Sequence, residues 1–273
     1  MKRKRKNDIN VEGSGEMKRE THLWYIIPNE VKSTSLLNQY LELLSPCEKE
    51  NVFRMCGNQP QKRALLASAL VRTTSARYQT NFQVDPRSLK CKKNIYGKSE
   101  VEWQDVDDSH LPPLHFNISH TSSLIACGVT LNSPISILYI HGPHIGIDVE
   151  EKQWKYGSNF QEAYVKALGR GFSAAPFKTF TIRSRTAIEG QLSERRDSEV
   201  SVVNSFDDPK NLTSNLQFAL LELAGSHYAA ICIEGDRTTG GKGTPPMKLT
   251  VWRTIPFVED ECVSGTDAVS CLT

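Results

Sequence analysis

Apolar residues in this chain fall into short strand-like runs interrupted by a few stretches of helical period. His22 to Pro28 (HLWYIIP) is the first strand-like run. Leu36, Leu37, Tyr40, Leu41 and Leu44 then recur at helical spacing, and Pro46 is expected to halt that helix. A longer helix is predicted after Pro60, where Leu65, Leu66, Ala69 and Leu70 follow the i, i+1, i+4, i+5 pattern with Arg63, Arg72 and Arg77 interspersed. The plain reading of these arginines is a solvated helix face; the sharper one is a basic face turned to an anionic cofactor.

Short strands are predicted at Glu100 to Trp103, Phe116 to Ile118 and Leu124 to Leu131, the last two flanking a Ser119-His120-Thr121 turn. Ile145 to Glu150 alternates, so Ile145, Ile147 and Val149 share an apolar face while Asp148 and Glu150 share the other. Glu162 and Lys166 stand one helical turn apart among Ala163, Val165, Ala167 and Leu168, and Gly169 and Gly171 end that helix. Antiparallel β structure is expected beyond it, at Thr179 to Ile182, Val200 to Val203, Leu216 to Leu223, Tyr228 to Ile233 and Leu249 to Thr254. Strand-helix-strand character thus occurs twice. The expectation is an α+β fold of two similar halves, residues 22–144 and 145–257, with antiparallel sheets and the active site at their junction. A disordered basic leader (1–21) and a disordered tail (258–273) complete the division.

Composition narrows the picture. A chain of 273 residues, 38% hydrophobic, can bury a substantial core, and a formal charge of +2 is too small for a general nucleic-acid binder. Lys2 to Lys6 reads as a solvated tail rather than a targeting or nucleic-acid patch. Seven scattered cysteines without a CxxC pair imply free thiols in a reducing compartment and no zinc site. No long apolar run calls for a membrane. Asp8, Glu12, Glu16 and Glu20 argue against a mitochondrial presequence. The cytoplasm is the expected compartment, with a mitochondrion or other organelle the alternative should translation start elsewhere, as at Met17.

Two carboxylates on one strand face repel unless they are solvated or share a cation. Asp148 and Glu150 as hard oxygen ligands suit Mg²⁺, which takes one or two carboxylates and completes its shell with phosphate and water. The bland reading is an exposed acidic strand end, and for Glu162 and Lys166 an ordinary helical ion pair. Asn94 to Lys98 (NIYGK) is a turn whose backbone amides and lysine could hold a phosphate. Gly240 to Gly243 resembles a phosphate loop only loosely, because Asp236 stands where a Walker motif needs glycine; it reads as a hairpin loop.

HFNISHT (His115 to Thr121), then GIDVE (Gly146 to Glu150), then EAYVKALGRGFS (Glu162 to Ser173), in this order, closely resemble the 4′-phosphopantetheinyl transferase superfamily, in its longer, pseudodimeric branch. The likeness runs from about Leu23 to Pro256. It implies a monomer of two related α+β halves that bind coenzyme A and Mg²⁺ in the cleft between them. Such enzymes move the phosphopantetheine arm of coenzyme A to a serine of an acyl or peptidyl carrier protein. Carried onto this chain, the resemblance makes Asp148 and Glu150 magnesium ligands. It makes Glu162 a further metal ligand and the base for the carrier serine, and it sets Lys166 near the phosphates as a catalytic and cofactor-binding residue. Ser119, His120 and Thr121 would contact the phosphates of coenzyme A, Tyr96, Gly97 and Lys98 the nucleotide, and Arg63 the 3′-phosphate.

The chain departs from that pattern in places. Only Lys152 to Phe160 bridges the acidic strand and the Glu162 helix, where relatives hold a helix and loop. Ser158 and Gln161 replace the pattern's Trp and first Lys, Ser99 replaces a proline, and Ile135 to His144 is inserted. These abrupt joins are what an alternative transcript or a faulty gene model would leave. They set up an alternative expectation, in which Glu162 fails to reach the metal and the chain binds coenzyme A or carrier protein without turnover.

Overall fold

The computed structural model describes residues 20–78, 85–93, 99–102, 114–131, 145–152, 162–167, 180–186, 198–204, 216–234, 248–264 and 271–272. Residues 1–19 of the basic leader, the Tyr96-Gly97-Lys98 turn, the 135–144 insertion, the bridge at 153–161, Gly169 with Gly171 and the 240–243 loop lie outside the described residues, and the last two leader residues, 20 and 21, belong to a strand.

The fold is α+β, as expected. Strand β1 (Glu20–Ile26) leads into helices α1 (Thr34–Leu43), α2 (Pro46–Arg54) and α3 (Asn58–Arg77). The Ser33 hydroxyl caps α1 by accepting from the Leu36 amide. Pro46, expected only to halt a helix, opens the next one. It occupies the first turn of α2, where no amide is required, and Ser45 with Glu48 closes a reciprocal capping box around it. Strands β2 (Lys90–Lys93) and β3 (Ser99–Glu102) form a hairpin, followed by β4 (His115–His120), β5 (Ile125–Leu131) and β6 (Ile145–Glu151). Residues 162–167 are helical (α4). The remaining strands are β7 (Phe180–Thr186), β8 (Ser198–Asn204), β9 (Leu216–Leu223), β10 (His227–Glu234), β11 (Leu249–Ile255), β12 (Glu259–Ser264) and β13 (Cys271–Leu272).

Two sheets carry the molecule. The first has the order β12-β11-β1-β5-β4, with β1 parallel to β11 and the other pairs antiparallel; the second has the order β13-β9-β10-β6. The first sheet therefore draws its strands from both sides of residue 145. Residues 259–264, expected to belong to a disordered tail, are instead β12. Their polar sequence shows no apolar alternation, and their order comes from edge pairing with β11.

Alternation in β1 explains the layering. Trp24 and Ile26 face the three helices, in a core shared with Tyr40, Leu66, Leu70, Ile125 and Val129. Leu23 and Tyr25 face the second sheet, where they meet Ile145, Ile147, Val149, Ala229 and Ile231. The far side of the second sheet is covered by α4, whose Ala163, Tyr164 and Ala167 pack on Phe218, Ala230 and Cys232. The result is helix, sheet, sheet, helix, with β6 buried on both faces.

Of the arginines on α3, Arg72 is neither solvated nor turned to a cofactor. It is 1% exposed and forms an ion pair with Glu48. Arg77 pairs with Asp260 and lies over the Trp24 ring. Cys47, Cys56, Cys91, Cys127, Cys232 and Cys262 are free thiols. No described helix is long and apolar enough to cross a membrane.

Candidate active site

The edge strands of the two sheets, β4 and β6, meet through side chains rather than through a backbone ladder. Asn117 and Ser119, two apart on β4, point the same way. The Asn117 Oδ1 accepts from the Ile147 amide at 2.9 Å and the Ser119 hydroxyl accepts from the Val149 amide at 3.2 Å. This satisfies two amides of β6 that would otherwise be stranded between the sheets. The same Ser119 hydroxyl donates to Asp148 Oδ1 at 3.1 Å and accepts from Lys166 Nζ at 3.2 Å.

Gly146 sets the approach of α4 to this seam. A Cβ there would lie 2.0 Å from the Ala163 carbonyl oxygen and 2.2 Å from the Ala167 nitrogen, so only glycine permits the contact. That contact brings both functional residues of α4 to β6. Lys166 Nζ stands 2.8 Å from Asp148 Oδ1 and 3.0 Å from Glu162 Oε1. One ligand oxygen from each of Asp148, Glu150 and Glu162 lies within 4.8 Å of the other two. Opposite ligands of an octahedral magnesium ion stand roughly 4.2 Å apart. The three carboxylates therefore fit a hard divalent cation after a small rotation of side chains.

The electrostatics agree with that fit. Burial pushes the Asp148 carboxyl up to about 6, against the opposing pull of Lys166, and the Glu162 charge adds to the rise. Glu150 is raised as well, by burial and then by Glu162. Among the described residues, three carboxylates gather around the Lys166 ammonium, an excess of negative charge that a divalent ion would neutralise. His120, at the end of β4, has its pKa lowered by loss of hydration and then by the positive charges of Lys166 and Arg63. Arg63, His120 and Lys166 thus share one electrostatic neighbourhood, next to the acidic cluster.

Thr121 has a different setting. Its hydroxyl accepts from the Ser123 and Leu124 amides at 3.2 and 3.1 Å and bonds His227 Nε2 at 3.1 Å. The turn itself is Thr121 to Leu124, closed by the Thr121 amide on the Leu124 carbonyl, because β4 continues through Ser119 and His120. Asn117, Gly146 and His227 were not singled out by sequence reasoning. The i, i+2 spacing of Asn117 and Ser119 was a usable signal. The role of Gly146 depends on a helix some seventeen residues later in the chain, and His227 lies at the start of a strand with no motif around it.

The fold and site define a class: an α+β protein with a carboxylate cluster on the inner edge of one sheet, bordered by cationic side chains and able to hold a divalent ion. No protein-family model matches the chain. Among curated proteins it is similar to the 4′-phosphopantetheinyl transferase Sfp of Bacillus subtilis (strain 168), with 23% identity over 175 residues that cover 57% of this chain and 72% of the relative.

Proposed function

We propose that this chain transfers the 4′-phosphopantetheine arm of coenzyme A to a serine of an acyl or peptidyl carrier protein, with Mg²⁺ as the metal. The observation that carries the reading is the convergence of Glu162 on Asp148 and Glu150, which is the arrangement the shortened bridge put in doubt. The similarity to a phosphopantetheinyl transferase supports it. In this reading two related halves, residues 22–144 and 145–257, meet at the seam of β4 and β6, and a single chain acts as a monomer in the cytoplasm.

Asp148, Glu150 and Glu162 would hold the magnesium ion, which supplies charge neutralisation on the diphosphate oxygens. Lys166, turned from its carboxylate partners toward the ligand, and His120 with Arg63 place cationic or donor groups against the phosphates. Ser119 keeps Asp148 aligned. Glu162 takes the proton from the carrier serine, directly or through one water. The serine oxygen bonds the phosphorus that bears pantetheine, and the bond from that phosphorus to the nucleotide's phosphate breaks. Tyr96, Gly97 and Lys98 are assigned to the nucleotide from the sequence resemblance alone.

The test is the intact mass of an apo acyl carrier protein after incubation with this chain, coenzyme A and Mg²⁺. The expected result is a gain of one phosphopantetheine, reduced by about 10²-fold to 10⁴-fold in rate in Glu162→Ala and abolished by EDTA. Binding of coenzyme A without any mass gain would replace this reading with that of an inactive binding protein.

A further inference from the structure

A buried histidine remote from these motifs bears on the same site. His227 opens β10, is 4% exposed, and belongs to the second sheet, yet it bonds the turn between β4 and β5 of the first. Its Nε2 lies 3.1 Å from the Thr121 hydroxyl and 3.0 Å from the Ser123 hydroxyl, and its Nδ1 lies 2.9 Å from the Ser226 hydroxyl.

The direction of the Thr121 hydroxyl proton follows from counting donors. Two backbone amides occupy the lone pairs of the Thr121 oxygen, so its hydroxyl proton must be donated outward. The Ser123 hydroxyl donates to Glu151 Oε1 at 3.1 Å, and the Thr121 hydroxyl has His227 Nε2 at 3.1 Å and the Ser123 oxygen at 3.4 Å beside it. Nδ1 lies against the Ser226 hydroxyl, which is also 3.3 Å from the Ala224 carbonyl. A chain of hydrogen bonds runs from the β4–β5 turn through the His227 imidazole to the β9–β10 turn. Its far end is a tight turn, with Ala224 and Gly225 at φ of 49° and 68°.

We propose that His227 is a positioning residue: through Thr121 it fixes the turn that follows His120, and so sets how that segment meets the phosphates of the ligand. The inference rests on the transferase reading of the site. His227 itself touches no reacting atom; it fastens the loop of one sheet to the other, across the seam where the ligand would lie. Losing the bond frees the Thr121 hydroxyl and loosens the amides of Ser123 and Leu124. Ligand binding should therefore suffer more than the chemical step.

The test compares wild type, His227→Ala and His227→Gln in coenzyme A titrations by calorimetry with Mg²⁺, in steady-state transfer, and in amide hydrogen exchange. His227→Ala should weaken coenzyme A roughly tenfold, the equivalent of one hydrogen bond, raise its KM in parallel and leave kcat within about twofold. His227→Gln, whose amide oxygen can accept from Thr121, should recover most of the affinity, and exchange at Ser123 and Leu124 should rise in the alanine variant only. Unchanged affinity in a folded His227→Ala, a loss confined to kcat, or no recovery in His227→Gln would overturn the proposal while leaving the transferase reading intact. A folded wild-type chain that binds no coenzyme A would remove both.

Discussion

Arg72 and Lys166 each bring a cation against carboxylates in a sheltered place, and the two clusters are built differently. Arg72 joins α2, α3 and the 86–88 turn. Its Nε and Nη2 grip Glu48 at 2.6 to 3.2 Å, and its Nη1 donates to the Pro86 carbonyl at 2.7 Å. Glu48 in turn accepts from the Ser45 amide and hydroxyl. One positive charge meets one negative charge, and the planar guanidinium fork matches its acceptors. Lys166 sits among Asp148, Glu150 and Glu162, where negative charge is in excess and Asp148 is held up at about 6. The first cluster is complete within the chain. Among the described residues, the second holds more carboxylates than cations.

The largest expected effect breaks the complete cluster. Arg72→Ala leaves the half-buried Glu48 charge with only its bonds to Ser45, and denaturant unfolding should show a loss of about 3 kcal/mol. The acidic cluster lies elsewhere, so whatever fraction remains folded should bind divalent ions as wild type does. Next comes Gly146→Ala, whose Cβ collides with the backbone of α4. Stability should fall by about 1–3 kcal/mol. A shift of roughly 1 Å in Glu162 should cost around 10² in transfer rate, well beyond what the stability loss explains.

The third effect depends on pH. Asp148 is raised from an ordinary 3.8 to about 6, so folding favours its protonated form. The stabilisation from that proton is full below about 3.8 and is lost as pH rises to about 6. Asp148→Asn, which stays neutral, should therefore stabilise the metal-free chain by about 3 kcal/mol at pH 7.5 and change it little at pH 4. Thermal melts at the two pH values check this. Added Mg²⁺ should reverse the order at pH 7.5, since wild type gains an ion that Asp148→Asn holds poorly.

The contrast also marks what could be read from the sequence. The alternation of IGIDVE gave the direction of every β6 side chain: Ile145, Ile147 and Val149 line the space between the sheets, and Asp148 and Glu150 face α4. The helical spacing of Glu162 and Lys166 was equally legible, because it is local. The completed cluster around Arg72 was not, since Glu48 stands 24 residues away and a basic residue on a helix ordinarily points to water. The same limit hid the work of Asn117 and Ser119, whose partners lie about 30 residues on, in the other sheet. Strand β12 escaped notice because pairing with β11, rather than an apolar pattern, orders it. Local period revealed faces; long-range hydrogen bonding decided what those faces meet.

On the proposed reading, Asp148, Glu150 and Glu162 form one divalent-ion site across β6 and α4. Electron paramagnetic resonance titration of the full chain with Mn²⁺ at pH 7.5, in wild type and Glu162→Ala, tests it most directly. Wild type should show one principal site, displaced by Mg²⁺ and at least about tenfold weaker in Glu162→Ala, the equivalent of roughly 1.4 kcal/mol. A site of equal strength in both proteins, or none in folded wild type, would contradict it.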